Sequence, residues 1–372
     1  MSLCLQSSSL QTVGGVLIAI IILLVMVTVH EAGHYAAGNL LKFKINEFAI
    51  GFGPALFRKK RKNSEEMFSV RLLPLGGFCA FAGEDEETED PSDPALFHNR
   101  KPWMRILVLL AGPLMNYLLA LLLIFTLFFA YGQPAYSLYR VAQTQEFPSQ
   151  YCLQEEDIIL DINGKGVYNI TDYITALNGK QKGDLVPFTV LRDGEKITLS
   201  VMLQSDVACK NLSDTQPILR AIASFQFDEE DPSGNGGLKG VSVRHGFFST
   251  IGRGVVYSGK IGGMILQTLG ELLTGKLALT SVGGPVTTIK VTSEAAAQGL
   301  PSILTISAYI GVNLAVFNLL PIPALDGSKV VLTAIEWIRK KPINRKVEAV
   351  INMVGFIAIL LFAVLVDVLQ FV

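Results

Sequence analysis

The chain has 372 residues, half of them hydrophobic and only 17% charged, with a mean hydropathy of +0.43. Its length would fit about two soluble domains, but four runs approach the roughly 20 apolar residues that cross a hydrocarbon core, which rules out an ordinary soluble protein. A net charge of −1 gives no footing for a polyanion, and no nucleic-acid partner is expected.

The first run extends from Thr12 to about Leu41 and carries His30-Glu31-Ala32-Gly33-His34. No Lys or Arg precedes Lys42, so the positive stretch of a secretory signal is missing and the run reads as a retained span. Histidines spaced i, i+4 share one helical face, where they can hold one Zn²⁺ with Glu31 as general base. Ionisable groups inside a span are costly and mark function. The expectation is a metalloprotease whose active site lies within the bilayer.

After a turn-rich Gly51-Phe52-Gly53-Pro54, Met67 to Phe81 reads as two short strands joined near Gly76-Gly77. Its apolar content suits a hairpin that enters the membrane shielded by protein. Glu84 to Asp93 is an acidic solvated loop, and Ile106 to Ala130 the second span.

A polar section follows. Glu156 to Ile162 reads as a strand entering an Asn163-Gly164 turn, Asp172 to Leu177 as a short helix, and Pro187 to Leu203 as a hairpin turning at Arg192–Glu195. Residues 206–245 read as irregular, with a break at Asp231–Gly237. Gly246 to Leu277 suits an amphipathic or partly inserted helix, and the next segment, to Leu300, an interfacial one. About Ile303 to Leu320 and Ala349 to Val366 complete the spans. The expected domains are a membrane part over 1–131, a β-rich domain over 132–205, linker and interfacial helices over 206–300, and a second membrane part over 301–372.

Basic residues cluster between the first two spans (Lys42, Lys44, Arg58 to Lys62, Arg100, Lys101, Arg105) and between the last two (Lys329, Arg339 to Lys341, Arg345, Lys346). The positive-inside rule makes that face cytoplasmic and puts 131–302 and both termini outside. Of the four cysteines, Cys152 and Cys209 share the outer compartment, where a disulfide could persist, although free thiols are the simpler expectation.

Two histidines leave a catalytic zinc one protein ligand short. No charged residue falls between Ala295 and Leu325; then comes Asp326, within Asn318-Leu319-Leu320-Pro321-Ile322-Pro323-Ala324-Leu325-Asp326-Gly327. Prolines that break the third span could turn this carboxylate inward. A helix-end Asp in a plain turn is the competing reading, and Glu294 or Glu336 would supply the ligand in a different kind of membrane HExxH protease. A membrane scaffold or transporter with a vestigial metal site is the non-enzymatic alternative.

Taken together, the His30–His34 pentapeptide and the segment from Asn318 to Gly327 resemble the site-2 protease family of intramembrane zinc metalloproteases. Gly51 to Pro54, Leu75 to Phe78 with Gly83-Glu84, and Ala111-Gly112-Pro113-x-x-Asn116 match in the same order, from about residue 12 to 335. The resemblance implies a polytopic α-helical membrane protein of four spans, with a membrane-associated β-hairpin and one inserted PDZ-like domain. It implies Zn²⁺ held by His30, His34 and Asp326, with Glu31 as base. Asn318 and the strand segment Gly76, Gly77 and Phe78 would bind substrate. Substrates would be transmembrane segments of single-span proteins, such as anti-sigma factors or remnant signal peptides, first trimmed by a site-1 protease. The setting would be a bacterial cell membrane, with the active site toward the cytoplasm and the PDZ-like domain outside.

The chain departs from the family where glycines usually precede the PDZ strand, having Tyr151-Cys152-Leu153-Gln154-Glu155-Glu156-Asp157. This favours a size filter over a peptide-binding groove. His98 and His245 read as surface or interface residues, Asn313 as a cross-helix bond ahead of a substrate contact, and Asn116 as bundle packing or support for the active-site side of its span. Gly284-Pro285 reads equally as a plain turn or as a match to a recurrent Gly-Pro pair of the family.

Overall fold

The computed structural model describes residues 2–62, 65–84, 92–138, 152–154, 156–209, 216–223 and 238–371. In chain order the elements begin with α1 (Ser2–Leu40), β1 (Ile45–Lys60), β2 (Met67–Phe81), α2 (Pro102–Ala130), β3 (Gln133–Leu138), β4 (Ile158–Ile162), β5 (Lys165–Gly166) and α3 (Ile170–Leu177). They continue with β6 (Leu185–Arg192), β7 (Glu195–Met202), α4 (Gln216–Ala223), β8 (Leu238–Val243), α5 (Phe247–Leu273), α6 (Pro285–Ala297), α7 (Leu300–Leu319), α8 (Asp326–Arg339) and α9 (Arg345–Phe371). The chain divides into two compact units, one of Met1–Ile124, Ser258–Leu266 and Ala278–Val372, the other of Phe125–Tyr257 and Gln267–Leu277.

Among the described residues, four helices are long and apolar enough to cross a membrane: Val13–Leu40, Pro102–Ala130, Leu300–Leu319 and Arg345–Gln370. The chain is therefore a polytopic helical membrane protein with a separate β-sheet region. A helix keeps its backbone hydrogen bonds internal, as a segment surrounded by lipid requires, and Pro113 inside α2 withholds one donor from that pattern. Phe356, Leu361 and Val364 of α9 stay exposed, a surface suited to acyl chains. Small residues let the helices approach: Gly33 lies against the Ala111 carbonyl, and a Cβ at Gly311 would come within 3.0 Å of Ala120.

The first unit also holds β1 and β2, and here the sequence reading is corrected. Met67–Phe81 is not a hairpin turning at Gly76-Gly77; it pairs with β1 along its length, and the chain reverses between Lys60 and Met67. Glu47–Ile50 is partnered twice, by Met67–Val70 and by Gly77–Ala80, and Phe57–Lys60 also pairs with Met67–Val70. Both strands are therefore bent. Gly76 allows the bend with φ +98°, and a Cβ there would collide with the Phe52 ring. Phe43, Ile45, Phe81, Phe97, Val108 and Leu109 form the core beneath this sheet.

The third span ends at Leu319, before its two prolines. The chain turns through Leu320–Leu325 with Ala324 at φ +75°, and Asp326 opens α8. A Cβ at Gly327 would collide with the Leu320 carbonyl, and one at Gly355 of α9 would collide with Pro323. Between them these glycines hold the turn on both sides.

The second unit is built on a six-stranded sheet of order β7-β6-β4-β3-β8, with β5 paired to β4. Asn163 and Gly164, and again Asp193 and Gly194, take positive φ at their turns, as Asn-Gly and Asp-Gly hairpins require. Asn169 and Asp172 form a reciprocal cap on α3. Phe188, Tyr173, Ile159, Ile162, Leu177 and Ile218 are in the core. Residues 206–245, read as irregular, contribute α4 and β8, the latter pairing with β3 across its whole length. The break at Asp231–Gly237, most of the acidic loop, and Tyr151 and Glu155 fall outside the described residues. Cys79, Cys152 and Cys209 are free thiols, so no Cys152–Cys209 disulfide forms.

Candidate metal centre

The histidines lie on α1 one turn apart, both buried, at 8% and 7% exposure. Asp326 reaches them from the first turn of α8. Its Oδ2 stands 3.0 Å from His30 Nε2 and 3.4 Å from His34 Nε2, and the two ring nitrogens are 3.1 Å apart. Tetrahedral zinc with ligand distances of about 2.0–2.2 Å separates its ligand atoms by roughly 3.3–3.6 Å. The triangle is close to that size, and its donors, two imidazoles and a carboxylate, suit zinc. Among the described residues, this is the group of three or more His, Cys, Asp or Glu placed to hold an ion.

Ring orientation supports the fit. His34 Nδ1 is 2.8 Å from the Val108 carbonyl, which can only accept. Nδ1 therefore carries the proton and a neutral His34 points the Nε2 lone pair at the cluster. Gly112 on α2 makes room for this: a Cβ there would collide with His34 Nε2 and stand 2.8 Å from His30 Nε2.

Glu31 lies between the histidines in sequence and beside β2 in space. The Cys79 backbone amide hydrogen-bonds its carboxylate, and a Cβ at Gly77 would be 3.5 Å from its Cγ. Burial, and next the Glu31 charge, push the Cys79 thiol up from its ordinary pKa. Of the sequence-predicted substrate residues, Gly76, Gly77 and Phe78 belong to this part of β2, and the Phe78 ring lies under the Arg71 guanidinium at 4.9 Å. Asn318 sits half-buried in the last turn of α7.

The other candidate ligands lie elsewhere. Glu336 is taken by Arg105 at 2.6 Å and by the Ile343 amide at 2.7 Å, and Glu294 is exposed. His98 bonds the Glu84 carbonyl through Nε2 at 2.9 Å, and Asn313 is exposed rather than bonded across the bundle core. The sequence reading missed the Val108 carbonyl, since any residue type offers one. It quoted Gly112 without a role, and only a neighbour's position could supply that role.

A multi-span membrane protein in which two buried histidines of a membrane-length helix meet an aspartate from the start of α8 is, by fold and site, of the zinc metalloprotease class. The profile of peptidase family M50 matches residues 18–362, and the chain belongs to that family. It is 32% identical to a Clostridium perfringens protein named by inference as a zinc metalloprotease, over 95% of this chain and 97% of that one. It is 27% identical to zinc metalloprotease RasP of Bacillus licheniformis, over 92% and 94% of the two chains. A Nostoc protein, again named by inference as a zinc metalloprotease, is 29% identical over 93% and 92%. The resemblance to the site-2 proteases thus holds for the family.

Proposed function

We propose that the protein is an intramembrane zinc endopeptidase that cuts transmembrane segments of single-span proteins. The observation that carries this reading is the convergence of His30, His34 and Asp326 beside Glu31 on a helix of membrane length. Bound there, zinc would supply Lewis acidity and bring the pKa of a water to about 7. Glu31 accepts the proton of the attacking water and returns it to the leaving nitrogen. His34 is six residues from the end of α1, about 9 Å at the helical rise, so water has a short way to travel from that end. A substrate helix must unwind to offer a carbonyl. The strand segment Gly76–Phe78 and the Asn318 amide are suited to take up the hydrogen bonds it gives up.

The basic segments support a cytoplasmic position for the α1 end that bears the histidines, with the β-sheet region outside. That region is read as PDZ-like, a filter against substrates whose outer domain has not yet been removed by a first protease. Anti-sigma factors and remnant signal peptides are the substrate classes this reading favours. The test is reconstitution of the full chain in liposomes with a single-span reporter. The native protein is expected to cut within the span and Glu31→Gln to leave it intact; cleavage by Glu31→Gln at the native rate would end the proposal.

A further inference from the structure

Val108, Gly112 and Asn116 follow one another at i, i+4 along one face of α2, and His30 and His34 do the same on α1. The first two of the three already have a place at the centre: Val108 offers its carbonyl to His34, and Gly112 leaves room for both rings. Asn116 falls opposite His30. It is 1% exposed, and its amide is 3.3 Å from His30 Nδ1. As placed, the amide nitrogen faces the ring, and Oδ1 is buried with no hydrogen-bond partner among the described residues.

The oxygen and nitrogen of an Asn amide are interchangeable in shape, so the bonding pattern decides between them. With the nitrogen toward the ring, Asn116 donates to Nδ1. The proton of a neutral His30 then sits on Nε2, the atom facing His34 and Asp326, where it would occupy the lone pair a metal needs. With the amide turned over, Oδ1 accepts from Nδ1–H, and Nε2 presents a lone pair.

From this we infer that Asn116 is a positioning residue: its side-chain oxygen accepts the His30 Nδ1 proton and so fixes the tautomer that binds metal. α2 then serves both imidazoles, by a backbone oxygen at Val108 and a side-chain oxygen at Asn116. This explains the otherwise idle Asn of the Ala111–Asn116 motif. A group that only packed the bundle would not need a buried amide 3.3 Å from a ring nitrogen.

The inference rests on the zinc reading above, and zinc affinity separates the two. Full-length native protein, Asn116→Leu and Asn116→Asp in detergent would each compete with a chelator for zinc, with metal-free unfolding midpoints recorded alongside. Leu has a similar volume and no acceptor; Asp keeps an oxygen where the amide's would be. Asn116→Leu is expected to bind zinc about 10–100-fold more weakly than native, the usual effect of losing such a partner. Its metal-free midpoint should stay close to native, and Asn116→Asp should bind within about 3-fold of native or tighter. Native-like affinity in Asn116→Leu, or Asn116→Asp as weak as Asn116→Leu, would overturn the inference and leave the zinc reading standing. Should Asn116→Leu not fold, Asn116→Asp decides alone, a tenfold loss counting against. A native chain that takes up no zinc would end both.

Discussion

Glu31 and Gly112 make opposite demands on the metal centre, and substitutions at the two separate chemistry from binding. Glu31 is not among the three converging donors. Glu31→Gln should therefore keep its zinc while losing about 10²–10⁴-fold in cleavage rate, the usual worth of a positioned general base. Gly112→Ala places a methyl group against both imidazole nitrogens. It is expected to lose zinc and activity together, read by metal analysis and reporter cleavage. Gly14→Ala, on α1 where a Cβ meets nothing within 4 Å, should change neither. The histidine pair and Glu31 were legible in the sequence because an i, i+4 spacing is a property of one helix. Apart from the family motif around it, Asp326 was legible only as an isolated carboxylate after a long uncharged stretch. That it opens a new helix after the prolines, rather than turning in from a broken span, depends on how Gly327 and Gly355 clamp the turn, and no local pattern encodes this.

The elements around the site divide in the same way. Spans were read from apolar length, and their ends moved by a few residues because flanking polar residues continue the helices. The β1–β2 sheet was misread: a Gly-Gly pair signals a turn locally, whereas its use here is set by the Phe52 ring and by pairing with residues some 25 positions earlier. Strand pairing over such separations leaves little trace in one chain. Two ion pairs lock elements where the sequence showed only charge. Arg105 and Glu336 join α2 to α8 with side chains 6% and 9% exposed. Removing one partner leaves the other buried, a loss of about 3–5 kcal/mol. Glu336→Ala should therefore lower the unfolding midpoint of the full chain clearly, and Arg105→Met with Glu336→Leu should recover most of it. In the second unit, Asp157 is fully buried and accepts both Arg192 bonds at 2.7 Å. Arg192→Leu should speed proteolysis of the sheet region in the intact protein without changing zinc content.

For the whole chain, composition and four apolar runs gave the membrane class, and ordered short motifs gave the family, both of which hold. The β-rich insert was seen in outline, but β8 escaped because a strand that completes a sheet from more than 90 residues away carries no local signal beyond its apolar alternation. The proposed chemistry requires three side chains from opposite ends of the polypeptide to bind one ion. Metal analysis of the purified full-length protein reads this directly. About one zinc per chain is expected in the native protein and in Glu31→Gln, and little in Asp326→Ala or His34→Ala. A native chain without zinc, or Asp326→Ala with full occupancy, would contradict it.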